Sequence, residues 1–301
     1  MSDRNGDAAP LARIEAVFRD AGVTGFLHAA DVDGGRELGL RADEPVVLAS
    51  VFKVPLLVAF FRQAAAGLLD PAEPVTLPPG GRTDGPTGLS VMRDEVRMSL
   101  RDLCYTMIAV SDNAAADVLY ARVGPEAIGA TIEALGLRRT RVVADARGLH
   151  DHMLRDAGVG SLAELWPRLD EPGLLPALGV LDPAHTNSST PREMTRLLSL
   201  IWRDEVCPPD ECEQMRRLLS LQVWPHRLSS GFPYDDVRVS GKTGTLPTLR
   251  NEVGVVEYPD GGRYAVAVFT RSLVPVAVQP EADAAIGIAA RLAVEALRRP
   301  A

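Results

Sequence analysis

Apolar residues recur at helical spacing along residues 10–21, where Leu11, Ile14, Val17 and Phe18 follow Pro10, and this predicts a first helix. The period then shortens. Gly25 to Val32 and Arg36 to Arg41 flank Asp33-Gly34-Gly35, whose glycines accept positive φ, so the pattern predicts a hairpin. From Ser50 to Leu69 the chain is strongly apolar (Phe52, Val54, Leu56, Leu57, Val58, Phe60, Phe61), which predicts a buried helix beginning at Ser50, with Pro55 confined to its first turn. Residues 71–90 are rich in proline, glycine and threonine and read as a loop. Leu100 to Leu135 reads as two or three helices, broken at Ser111 and at Gly124-Pro125.

Glycine and proline punctuate residues 140–188 so densely that the pattern predicts irregular loops with one short helix near Ser161 to Leu169. Thr190-Pro191-Arg192-Glu193 is a helix start, with a cap, a proline at the first position and a capping-box glutamate; helix is expected to about Trp202 and again from about Asp210 to Leu221. After Pro225 the period becomes two. Val237 to Ser240, Asn251 to Glu257 and Tyr264 to Thr270 read as strands, the last two joined at Pro259-Asp260-Gly261-Gly262, and a helix closes the chain from about Glu281 to Arg298. Strands at both ends with helices between them predict an α/β (α+β) fold. Its antiparallel sheet, flanked by helices, comes from residues 1–70 and 225–301, and an all-helical lobe, residues 71–224, is inserted into the single domain 1–301.

With 301 residues, 46% of them hydrophobic, the chain can bury a full core. A net charge of -8 without a basic cluster longer than Arg138-Arg139-Thr140-Arg141 argues against a nucleic-acid partner. Charges throughout the first 30 residues and the lack of a long apolar run predict no export signal and no membrane span, hence a cytoplasmic protein. Cys104, Cys207 and Cys212 lack metal-site spacing and are expected as thiols, and His150 and His152 read as a loop pair, so no metal is expected.

Charge composition nevertheless singles out two positions. The chain has two lysines against 30 arginines (32 Lys+Arg minus 2), and they are Lys53 and Lys242. A guanidinium keeps its proton in a protein, whereas a buried lysine amine can release it and act as a base. In Ser50-Val51-Phe52-Lys53, the three-residue spacing at a helix start puts serine and lysine on one face, where a neutral amine can take the hydroxyl proton and the helix N-terminus favours an anion. Taken alone, Ser111-Asp112-Asn113 reads as a helix cap and Lys242 as a solvated charge at the end of a strand, while Gly244 would let a ligand approach the backbone.

In this order and separation, Ser50-Val51-Phe52-Lys53, Ser111-Asp112-Asn113 and Lys242-Thr243-Gly244 resemble the three motifs of the class A β-lactamases and penicillin-binding proteins. Ser189-Thr190-Pro191-Arg192 and Arg250-Asn251 are similar to further stretches of that family, so the likeness spans nearly the whole chain. It implies a β-lactamase/transpeptidase-like fold with the site where two lobes meet. It makes Ser50 the nucleophile, Lys53 its activating partner, Ser111 a proton donor to the leaving group and Asn113 a holder of the substrate amide. Lys242, Thr243 and, as a second cation, Arg250 would bind a substrate carboxylate, with the N–H groups of Ser50 and Thr245 as oxyanion hole. The resemblance also implies that no organic cofactor is needed.

One family feature is missing. The glutamate that activates the deacylating water sits in a Glu-x-x-Leu-Asn pattern that this chain lacks, and Glu171, in Glu171-Pro172-Gly173-Leu174-Leu175, is the nearest candidate. The resemblance therefore implies a serine-dependent acyl hydrolase of β-lactam amides. The alternatives are a cytoplasmic esterase, amidase or acyltransferase of antibiotic or other specialised metabolism, and a protein that binds a β-lactam-like ligand without turnover. The expected partner is a small β-lactam, ester or amide carrying a carboxylate.

Overall fold

The computed structural model describes residues 8–299. Helix α1 (Ala8–Asp20) leads into the hairpin β1 (Val23–Asp31) and β2 (Glu37–Leu40), then the two-residue strand β3 (Val46–Val47) and, through a 3-10 turn at Ala49–Phe52, helix α2 (Lys53–Ala65). Strands β4 (Pro74–Leu77) and β5 (Val96–Ser99) follow, then α3 (Leu100–Ala109), α4 (Asn113–Val123), α5 (Pro125–Ala134), α6 (Ala146–Ala157) and the single turns α7 (Leu162–Leu165) and α8 (Leu174–Ala177). After β6 (Ser188–Ser189) come α9 (Pro191–Trp202), α10 (Pro209–Ser220), β7 (Arg238–Leu246), β8 (Leu249–Glu257), β9 (Arg263–Ser272) and α11 (Pro280–Arg298).

Strands from the two ends of the chain interleave in one antiparallel sheet of order β2-β1-β9-β8-β7, with β1 paired to β9 from Val23↔Ser272 to Asp31↔Tyr264. Because side chains alternate across a strand, β9 supplies both faces. Tyr264, Val266 and Val268 pack with Ile14 and Phe18 of α1 and Ile286, Ala289 and Ala293 of α11. Ala265, Ala267 and Phe269 point the other way, into the larger core with Leu197 and Ile201 of α9. Helix α2 is apolar all round because it is surrounded. Its Leu56, Leu57, Val58 and Phe60 are fully buried, each contributing about 1.5–3 kcal/mol, among α3, α4, α5 and α10.

The lobe expected to be all-helical, residues 71–224, differs from the sequence reading in two places. Residues 146–157 form a regular helix, capped by Asp145 Oδ1 accepting from Gly148 N at 2.7 Å and ended by Gly158 in the left-handed region. The stretch after residue 70 contains the β4–β5 pair, from Pro74↔Ser99 to Leu77↔Val96. Among the described residues no helix is long and apolar enough to cross a membrane.

Candidate active site

Ser50 lies in the 3-10 turn before α2, so the regular helix starts three residues later than its apolar pattern suggests. Ala49 ahead of it has φ +48°, a strained conformation for a residue with a Cβ. Neighbouring backbone holds that turn. Leu48 N donates to Asn187 O at 2.9 Å, and Asn251 Nδ2 donates to Val47 O at 2.9 Å. Strand β7 presses against the turn through Gly244, where a Cβ would lie 2.6 Å from Leu48 O, so any side chain there would push the two apart.

Lys53 is the first residue of α2 and is fully buried. Its Nζ donates to Ser111 O at 2.7 Å and Asn113 Oδ1 at 2.8 Å, and lies 3.4 Å from Ser111 Oγ. Burial lowers its pKa to about 7 against the opposing charges of Asp112 and Asp117, so near neutral pH a large share of the amine is uncharged. The break between α3 and α4 delivers these partners. Ser111 has φ +62°, Asp112 caps α4 through Ala115 N at 3.2 Å and also accepts from Leu89 N at 2.7 Å, and Asn113 Nδ2 donates to Asp84 O at 2.9 Å. The cap reading holds for Asp112, and the residues on either side of it turn to Lys53.

Lys242 belongs to the middle of β7, which runs on to Leu246, so this lysine does not extend from a strand end. It is fully buried, with Nζ 2.9 Å from Thr243 O. Burial, then the charge of Lys53, hold its pKa well below the lysine value, with Glu252 opposing. Glu252 is itself buried and raised to about 7, mainly by burial, although Leu228 N and Gln222 Nε2 donate to it. Gln222 Oε1 in turn accepts from Thr243 N at 2.7 Å.

These segments border one cleft of about 520 Å³, within the usual size for a small-molecule site. Ser50, Ser111, Asn113, Thr243 and Thr245 line it; Lys53, Lys242 and Gly244 stand behind this lining. Arg250 does not line the cleft. Its Nη1 donates to Leu246 O and Leu249 O and its Nη2 to Val276 O and Ala277 O, which occupies the guanidinium with main-chain acceptors. The arginine at the cleft is Arg227, whose Nη2 donates to Thr245 Oγ1 at 2.9 Å while Nε pairs with Asp283 Oδ1 at 2.6 Å. Glu171 also lies elsewhere, exposed and paired with Arg168 Nε and Nη2 at 2.9 Å each.

Sequence reasoning missed several lining residues: Arg227, His150, His226, and the apolar Met153, Trp166 and Trp224. Arg227 is one arginine among 30 and no motif marks it. His150, read from the sequence as half of a loop pair with His152, lies instead on helix α6, with Leu149 and Met153 as its apolar neighbours between the Asp145 cap and Gly158. That helix is fastened to α4 where Asp117 Oδ1 accepts from Ala146 N at 2.8 Å. Among the described residues no group of three His, Cys, Asp or Glu could hold a metal ion.

A family profile described as "Beta-lactamase enzyme family" matches residues 10–297. The chain is 32% identical to a protein of Streptomyces cacaoi named "Beta-lactamase regulatory protein BlaB", over 96% of this chain and 97% of that one. It is 30% identical to a "Beta-lactamase" of Amycolatopsis lactamdurans, over 90% of this chain and 80% of the other. Among solved structures, the β-lactamase from Sphaerobacter thermophilus superposes with a TM-score of 0.76 at 27% identity, covering 98% of this chain and 97% of that one.

Proposed function

The chain belongs to the beta-lactamase enzyme family, and from that premise we propose that it opens β-lactam amides through an ester on Ser50. The observation that carries this reading is the buried Lys53 amine bonded to Ser111 and Asn113 at the wall of the cleft that Ser50 lines. Neutral Lys53 takes the Ser50 proton as Oγ attacks the lactam carbonyl, and the N–H groups of Ser50 and Thr245 receive the oxyanion. Ser111, beside Lys53 Nζ, relays a proton to the departing nitrogen. Thr243 and Thr245, backed by Lys242 and Arg227, bind the substrate carboxylate, and Asn113 orients the amide side chain. Trp166, Trp224 and Met153 favour a substrate with an apolar side group.

A second reading has its own support. The Streptomyces cacaoi relative is named a regulatory protein, and no carboxylate is among the described residues that line the cleft. A protein that acylates and then holds the ester would serve as a sensor. An esterase or acyltransferase would instead pass the acyl group to an alcohol or amine.

Intact-mass measurement after exposure to benzylpenicillin tests the first step. One adduct is expected on the unaltered protein and none on Ser50→Ala; no adduct on the unaltered protein removes the mechanism. The adduct's lifetime then separates the readings. Loss in water marks a hydrolase, loss only with added alcohol or amine marks a transferase, and persistence marks a sensor.

A further inference from the structure

We propose that His150 is the base that activates the water for release of the Ser50 ester. This assignment rests on the acyl-enzyme reading above. Helix α6 brings His150 and Met153, one turn apart, to the cleft that Ser50, Ser111 and Asn113 also line. Hydrolysis needs a group there that can take a proton from water near neutral pH, and the described lining contains no carboxylate. Two histidines line the cleft. His226 stands beside Arg227 with its Nε2 3.9 Å from Asp283 Oδ2, on the side proposed to hold the substrate carboxylate. His150 stands near Lys53 and Asp84, and no hydrogen bond joins its ring to another described residue, which leaves its nitrogens for water.

The surroundings keep this imidazole in the basic form. Burial first, then the charges of Lys53 and Arg147, lower its pKa from 6.5, against Asp84 and Asp151. Of the other acids on elements packed against α6, Asp117 is occupied by the N–H groups of Ala146 and Arg147, and Glu164 by Gly160 N and Ser161 Oγ. In the step itself, a ring nitrogen takes a proton from water as the oxygen attacks the ester carbonyl carbon. The tetrahedral oxyanion then collapses, the bond from carbon to Ser50 Oγ breaks, and the imidazolium returns its proton to Oγ. The product leaves as a carboxylic acid, and Ser50 and His150 are restored.

The test is a pulse of benzylpenicillin followed by intact-mass readings over time. The unaltered protein should form the Ser50 adduct and lose it in water. His150→Gln should form the adduct at close to the same rate and lose it at least about a hundredfold more slowly. A base works only when neutral, so in the unaltered protein ester loss should fall about tenfold per unit of pH on the acid side of the ordinary histidine value and level off above it. That acid limb should vanish in His150→Gln and move towards the carboxylate range in His150→Glu. Equal loss in the unaltered protein and His150→Gln, an adduct that persists in the unaltered protein, or failure of both variants to acylate overturns the assignment and leaves the acyl-enzyme reading standing. Absence of any adduct on the unaltered protein removes that reading and this one with it.

Discussion

Lys53 and Lys242 are equally buried but differ in what their neighbours leave them to do. Lys53 stands against two oxygen acceptors and a serine hydroxyl with its pKa near 7, so its proton is exchangeable at neutral pH. If it is the acylating base, the rate of adduct formation should rise about tenfold per unit as pH climbs towards 7 and level off above, as measured by stopped-flow or quenched mass readings. Lys53→Arg, whose charge cannot be shed, should acylate at least about a hundredfold more slowly at every pH. The same shift bears on stability. Between about 7 and the lysine value of 10.5 the unfolded chain holds a proton that the folded protein has released, so this group makes stability rise with pH across that window. Glu252 acts oppositely. Its folded value of about 7 exceeds 4.5, so its contribution is present at low pH and is lost as pH rises between them. At this scale the lysines were legible because their rarity and spacing marked them, whereas Arg227 and Arg250 differ only in which acceptors the fold brings to them.

The junction of β7 with the turn at Ala49–Phe52 decides where Ser50 sits. Gly244→Ala places a methyl 2.6 Å from Leu48 O and 3.1 Å from Val51 Cγ2, so strand or turn must shift. We expect a loss of about 1–3 kcal/mol in thermal or urea unfolding. Acylation should fall by more than that stability loss alone implies, because the displaced segment carries the nucleophile. Elements with a sustained period, such as α2, α9 and the three late strands, could be read from the chain. Helix α6 could not, since the glycines and prolines around it mask a twelve-residue pattern whose apolar positions are Ala146, Leu149, Met153 and Ala157. The β4–β5 pair was hidden because four-residue strands opening on Pro74 carry too few alternations to register.

Across the whole molecule, Arg227 joins parts that are distant in sequence. Its guanidinium donates to Gly244 O and Asn251 O at 3.0 Å each and pairs with Asp283 of α11, tying the last helix to the edge of the sheet that borders the cleft. Arg227→Met should cost about 1–3 kcal/mol in urea denaturation, because Asp283 loses its hydrogen-bonded partner and keeps only Arg250 Nε at 3.9 Å. Adding Asp283→Asn should recover part of that loss, and a purely additive pair would refute the coupling. The arrangement of strands from both termini around helices in the middle was readable from the change of period along the chain. The tie at Arg227 was not, since it depends on three segments meeting. The lysine distribution reaches beyond the cleft. A ring-strained amide is an electrophile towards any exposed primary amine, and both lysine side chains here are fully buried. The two lysines of the folded protein therefore offer such compounds no accessible amine, and succinimidyl esters should tag them only as it denatures.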